Sequence, residues 1–211
     1  ITRSFDRFFN AGEADCVDFQ LDPKTDVVHE KMDGSLIRCY NVGGLWFFGT
    51  RGTAFGEGQT ATGDTFYELV MKVYGGLDHE NDFQRLAGEH LNPELTYSLE
   101  FTSAENRVVT RYEGYNLHLL AARNNKTGEY VKVPSDVISA MKWKLPKQYT
   151  FDTIEACRTA AKELPDLQEG YVVYRSGVPV CKIKSPVYVA THLIRGEGLN
   201  PRRMTELAFT N

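Results

Sequence analysis

The chain has 211 residues with 24 basic and 28 acidic side chains, a formal net charge of −4. That length holds one sizeable domain or two small ones, and the charge balance excludes a global electrostatic grip on nucleic acid, so any basic surface has to be local. The four cysteines stand without C-x-x-C or Cys/His spacing and the five histidines are dispersed, which argues against structural zinc and for reduced thiols in a cytoplasmic setting. No apolar run reaches membrane-spanning length and no signal peptide is visible.

Taken in order, Phe5, Phe8 and Phe9 have helical spacing, so residues 1–12 read as a helix with an aromatic stripe packed on the core and Arg7 pointing elsewhere. Asp26 to Glu30 reads as a strand that delivers Lys31 to the turn Met32-Asp33-Gly34-Ser35. Leu36 to Tyr40 and Leu45 to Gly49 flank Asn41-Val42-Gly43-Gly44, a hairpin signal, and a turn carrying Arg51 follows. Asp64 or Thr65 caps a helix over Phe66 to Tyr74 that Gly75-Gly76 ends, and a second helix covers Asn81 to Glu89. Strands are expected at Thr96 to Phe101, Arg107 to Arg111 and Leu117 to Arg123, with a turn over 124–128. Ser135 and Thr153 cap helices near 136–143 and 154–163, Glu169 to Arg175 and Val178 to Lys184 form a hairpin about Ser176-Gly177, and Pro186 and Pro201 open short helices. Hairpins outnumber β-α-β units, so the class is α+β with largely antiparallel sheets flanked by helices. Neither G-x-G-x-x-G after a strand nor a P-loop is present.

The late hairpin carries the chemistry. Period-2 alternation places Lys182 and Lys184 on one strand face, with Glu169 at the start of the paired strand. Such a lysine pair is either a solvated face or an anion site. Joined to Lys31, two further cations would favour its neutral, nucleophilic amine and bind a nucleotide's α-phosphate. Carboxylates at Asp33, Glu100 and Glu169 would hold a hydrated Mg²⁺ over the same phosphate. The reaction this implies is in-line attack of Lys31 on ATP, giving a lysine–AMP phosphoramidate and pyrophosphate.

K-x-D-G early, E-G-Y-V late and K-x-K after it resemble, in order, the signature of the covalent nucleotidyltransferases: ATP-dependent DNA and RNA ligases and mRNA capping enzymes. Within them the chain is most similar to the RNA ligase 1 family typified by the T-even phage enzyme that repairs broken tRNA. The likeness runs from R-S-F-D-R-F-F-N at 3–10 through K-M-D-G-S-L, F-G-T-R-G at 48–52, L-E-F-T-S-A-E-N-R-V-V at 99–109 and T-G-E-Y at 127–130 to K-I-K-S-P-V-Y-V. It implies a nucleotidyltransferase (ATP-grasp-like) core over residues 1–211 and an ATP-dependent RNA ligase that uses Mg²⁺ or Mn²⁺ and joins 5′-phosphate to 3′-OH RNA ends, tRNA among the candidate substrates. Lys31 is then the adenylated nucleophile. Glu100 contacts the ribose or the metal's waters, Glu169 positions metal and lysine, and Lys182 and Lys184 grip the α-phosphate. Gly34 and Tyr188 lie beside the nucleotide, Arg51 touches nucleotide or RNA phosphate, and Arg7 stands where the family has a lysine for the ATP phosphates. Met32 replaces a common acid. The family's upstream arginine for pyrophosphate would precede Ile1 and its C-terminal helical domain would follow Asn211, so the expectation is a fragment of a longer ligase or a minimal relative. The competing readings are a non-catalytic nucleotide- or RNA-end-binding module, and a DNA ligase or capping-type enzyme.

Overall fold

The computed structural model describes residues 2–197 apart from positions 14, 15, 17, 61 and 166. The helix expected from Pro201 lies outside them. Strands β1 (Phe9–Asn10), β2 (Asp26–Lys31), β8 (Gln148–Tyr149), β9 (Gly170–Arg175) and β10 (Val178–Lys184) form one sheet in the order β1-β10-β9-β2-β8. Strands β3 (Ser35–Val42), β4 (Leu45–Gly49), β5 (Leu95–Thr102), β6 (Asn116–Asn124) and β7 (Tyr130–Val131) form the other, in the order β4-β3-β5-β6-β7. All pairings are antiparallel except β1 on β10. The α+β expectation therefore holds.

Each sheet has an apolar and a polar face because its side chains alternate. In the first sheet Val28, Val173, Cys181 and Ile183 pack on Ile154, Cys157 and Ala161 of helix α4 (Ile154–Lys162). Thr153 caps that helix by accepting the Ala156 N–H at 3.1 Å, as expected. Full burial of Ile154 alone is worth roughly 1.5–3 kcal/mol. In the second sheet Ile37, Phe48, Leu99 and Phe101 pack on helices α1 (Phe66–Met71) and α2 (Glu80–His90) through Leu69, Val70, Phe83 and Ala87. Thr65, not Asp64, caps α1, in a reciprocal capping box with Glu68. With both apolar faces covered by helices, the polar faces are left to build a site: Lys31, Lys182 and Lys184 on one sheet, Glu100 on the other.

Four local expectations are corrected. Residues 2–8 form no helix, because their polar groups bond to the polar side of the second sheet: Ser4 Oγ meets Ser98 Oγ at 3.1 Å, and Arg123 donates to the Ser4 carbonyl and the Asp6 carboxylate. Residues 107–111 form no strand; the Val109 and Thr110 amides turn inward to a carboxylate instead. Helix α1 stops at Met71, and the chain turns through Tyr74 with the Gly76 N–H closing on the Met71 carbonyl. Helix α3 (Ser135–Ala140) ends before the expected 143, where Lys142 takes φ +56, and Pro134 rather than Ser135 stands at its cap position. Helix α5 (Pro186–Glu197) opens at Pro186 as expected.

Candidate active site

Strand register brings the lysines together. Lys31 at the end of β2 pairs with Gly170 at the start of β9, and Gly170 pairs in turn with Lys184 at the end of β10. Gly170 adopts φ +140, and a Cβ there would lie 2.0 Å from the Ile183 carbonyl oxygen. Only glycine lets the three strands close at this row. Glu169, one residue earlier and 5% exposed, holds both cations: its Oε2 lies 2.7 Å from Lys31 Nζ and its Oε1 lies 3.0 Å from Lys184 Nζ. One buried carboxylate thus sets the spacing of two ammonium groups drawn from different strands. Lys182 has no carboxylate partner among the described residues and sits over the Phe8 ring at 5.2 Å. Burial, aided by the Lys184 and Lys31 charges, lowers its pKa.

Glu100 approaches from β5 and accepts the Gly34 N–H at 3.1 Å. Burial is the main reason its carboxyl is pushed up to about 8, with the Glu169 and Asp33 charges adding to it and Lys31 opposing. A carboxyl that retains its proton near neutrality beside a second carboxylate is a site short of positive charge. That electrostatic demand fits a hydrated divalent cation. Among the described residues no group of three or more His, Cys, Asp or Glu is arranged to hold one directly, so the fit is to an ion that keeps most of its waters. Gly34 also sits tightly: a Cβ there would be 2.2 Å from the Phe101 carbonyl oxygen.

Asp33 departs from the metal-ligand role expected of it. Its Oδ2 accepts the Val109 and Thr110 N–H groups at 2.8 and 2.6 Å, and its Oδ1 accepts the Tyr188 hydroxyl at 2.6 Å. At 3% exposure, with three protein donors, this carboxylate is a clamp tying the turn after Lys31 to the 109–110 segment and to α5. Tyr112 adds to the clamp by accepting the Asp33 N–H at 3.1 Å. Tyr188 faces the site on its other side too, since Lys184 Nζ lies 5.7 Å from its ring centroid. Arg7 and Arg51 stand outside the network: Arg7 is exposed, over the Phe9 ring at 4.8 Å, and Arg51 is exposed in the bend after β4. Sequence reasoning missed Tyr112, which carries no motif signal, and the amides of Val109 and Thr110, which no side-chain pattern reveals.

Two cavities lie on either side of this region, and only the second is lined by site lysines, Lys182 and Lys184. One of about 580 Å³ lies between the sheets, lined by His29, Tyr174, Leu119 and Tyr130 among others. His29 is two residues from Lys31 on the same strand face, and its ring lies 4.8 Å from that of Tyr174. The other, of about 520 Å³, opens between β10, α4 and α5.

Comparison with known proteins gives the family and the fold. The family model described as RNA ligase matches residues 1–188. A putative bifunctional polynucleotide kinase/RNA ligase of Autographa californica nuclear polyhedrosis virus is 38% identical over 99% of this chain and 31% of its own length. A putative RNA ligase of Thermovibrio ammonificans is 28% identical over 91% of this chain and 49% of its own length. The chain therefore spans less than half of these relatives. Among solved structures, an archaeal ATP-dependent RNA ligase superposes with a TM-score of 0.56 at 20% identity, over 81% of this chain and 45% of that one. A Naegleria gruberi RNA ligase mutant with AMP and Mn gives 0.57 at 16% identity, over 80% and 52%. At such identities these two likenesses speak for the fold. No helix among the described residues is long and apolar enough to cross a membrane.

Proposed function

The chain belongs to the RNA ligase family, and on that premise we propose that it is the adenylyltransferase core of an ATP-dependent RNA ligase, with Lys31 as the nucleophile. The observation that carries this reading is the double grip of Glu169 on Lys31 and Lys184. A structural ion pair needs one lysine; a site for a phosphoryl group needs a nucleophile and a counter-charge held apart, with an acceptor for the nucleophile's proton.

The steps follow from those groups. Lys31 Nζ gives up a proton, for which Glu169 Oε2 at 2.7 Å is the acceptor in place. The amine attacks the α-phosphorus of ATP; an N–P bond forms, the α–β P–O bond breaks, pyrophosphate leaves, and the nitrogen's second proton is lost to water. Lys182 and Lys184 hold the α-phosphate oxygens as charge builds on them. The cavity between the sheets, where the His29 and Tyr174 rings meet at a tilt 4.8 Å apart, receives the nucleoside. In the second step a 5′-phosphate oxygen of RNA displaces the lysine and takes the AMP. In the third an RNA 3′-OH attacks that phosphate, forms the phosphodiester and releases AMP. A divalent cation, Mg²⁺ or Mn²⁺, held through water by Glu100 and Glu169 would neutralise phosphate charge. AMP and Mn bound to the Naegleria ligase support nucleotide and metal use here. Asp33 is assigned a positioning role. The whole protein's choice of RNA, tRNA included, falls under the same proposal.

The test is end-joining. Incubating the protein with ATP, Mg²⁺ and a 5′-phosphorylated single-stranded oligoribonucleotide should give circular or dimeric product whose 5′-phosphate resists phosphatase, and Lys31→Ala should give none. Product from Lys31→Ala at the wild-type rate would end the proposal.

A further inference from the structure

The cleft between β10, α4 and α5, of about 520 Å³, extends beyond Lys182 and Lys184. Its floor begins at Lys182 and Lys184 and continues to Arg158 and Lys162 on α4. These two are four residues apart on the helix, hence on one side of it, about 5–6 Å apart at Cβ. They flank the stripe of Ile154, Cys157 and Ala161, which is buried in the core. Neither Arg158 nor Lys162 has a carboxylate partner among the described residues. The one acid in the lining, Glu13, is engaged by the Asn10 side-chain amide at 2.7 Å. In a chain of net charge −4 this is a local concentration of cations, of which Lys182, Arg158 and Lys162 have no ion-pair partner among the described residues and Lys184 is held by Glu169.

The other wall has a different character. Tyr188 and His192, one turn apart on α5, stack with centroids 5.8 Å apart and planes 30° apart, and Pro186, Val189 and Leu193 extend the wall with apolar surface. A wall of cations facing aromatic and apolar surface is the composition that binds single-stranded nucleic acid: charges follow the phosphates and π-faces take bases. A bare pyrophosphate would use the cations and leave the aromatic wall idle.

Resting on the ligase reading above, we propose that this cleft is the track for the RNA strand that carries the 5′-phosphate, with Arg158 and Lys162 holding backbone phosphates next to the end and the exposed His192 ring, backed by the buried Tyr188, supporting a nucleotide. The track leads directly to Lys182 and Lys184, so a strand seated in it delivers its terminal phosphate to the AMP held on Lys31. The chemistry shared with the alternative occupant, the β- and γ-phosphates of ATP, is phosphate binding; the assays separate the two.

The experiment compares wild type, the Arg158→Ala/Lys162→Ala double variant and the charge-preserving Arg158→Lys/Lys162→Arg double variant. Binding of a fluorescent 5′-phosphorylated 12-mer RNA is measured across salt concentration, and self-adenylation is followed against ATP concentration. The alanine variant should bind RNA at least about tenfold more weakly, with a slope of log affinity against log salt smaller by about 1.4, two contacts at about 0.7 each on a single strand. Its ATP dependence of self-adenylation should be unchanged, and the charge-preserving variant should recover RNA binding. RNA binding unchanged in the alanine variant would overturn the track while leaving the ligase reading intact. A parallel rise in the ATP requirement would give the cleft to the triphosphate instead. Failure of wild type to bind or join RNA would overturn both readings.

Discussion

Removing the Asp33 carboxylate tests whether this residue clamps the fold or binds metal. Its two oxygens accept from Val109 N–H, Thr110 N–H and Tyr188 O–H at 2.8, 2.6 and 2.6 Å, inside a region where Asp33 is 3% exposed. Hydrogen bonds to a charged group are worth roughly 1.5–3 kcal/mol each, and a buried amide left unpaired costs about 1–3 kcal/mol. The three share one acceptor and do not add, and the Tyr188 hydroxyl can turn to another partner, so Asp33→Ala should cost about 3–5 kcal/mol. Tyr188→Phe removes one donor and should cost about 1–2 kcal/mol, and the double variant should cost less than the sum. Asp33→Asn keeps an acceptor for the two amides and meets Tyr188 with a donor that the hydroxyl can accept, so about 1–2 kcal/mol is expected there. Urea unfolding of wild type and the four variants gives the stabilities, and the Mg²⁺ concentration for half-maximal adenylation gives the metal dependence. The clamp account has stability change and the Mg²⁺ requirement stay. Asp33→Asn at wild-type stability with a tenfold higher Mg²⁺ requirement would refute it.

Gly170→Ala should destabilise by about 2–5 kcal/mol, since it combines a strained φ of +140 with a Cβ placed 2.0 Å from a backbone oxygen, and it should abolish adenylation even where the protein still folds. Unfolding curves and an AMP-labelling assay check both halves. Glu100→Gln tests the raised carboxyl. Held at about 8 in the fold against an ordinary 4.5, Glu100 contributes no penalty while both states are protonated, and stability is lost as pH rises toward 8. Wild type and Glu100→Gln should therefore unfold alike at pH 4, below the ordinary 4.5, and the variant should be the more stable at pH 9. About 5 kcal/mol is the ceiling, and solvent screening reduces it. Equal stability at both pH values would mean that the carboxyl ionises normally. Lys184→Ala should lower adenylation by orders of magnitude while leaving the unfolding midpoint within about 1 kcal/mol, because its partner Glu169 keeps Lys31.

Much of this was legible because it is local. The alternation of β9 and β10 placed Lys182 and Lys184 on one face, and Thr153 marked the start of α4, with no tertiary knowledge needed. What escaped the sequence reading depends on partners far along the chain. Phe5, Phe8 and Phe9 have helical spacing, yet residues 2–8 form no helix because Ser98 and Arg123 supply hydrogen bonds that a helix here would forgo. Arg107 to Arg111 have strand-like composition, yet the Val109 and Thr110 amides serve Asp33, some 76 and 77 positions earlier. Asp33 itself belongs to a signature that suggests metal chemistry, and only its three donors reveal the clamp. The row Lys31–Gly170–Lys184 was visible as three separate motif residues; its meaning lies in the register that joins them.

The claim that Lys31 is a covalent nucleophile is tested most directly by intact mass and peptide mapping after incubation with ATP and Mg²⁺. A gain of one AMP, roughly 330 Da, mapped to Lys31 and absent from Lys31→Ala, is the predicted result. An AMP adduct mapped to another residue, or no adduct from a folded protein that still binds ATP, would contradict it.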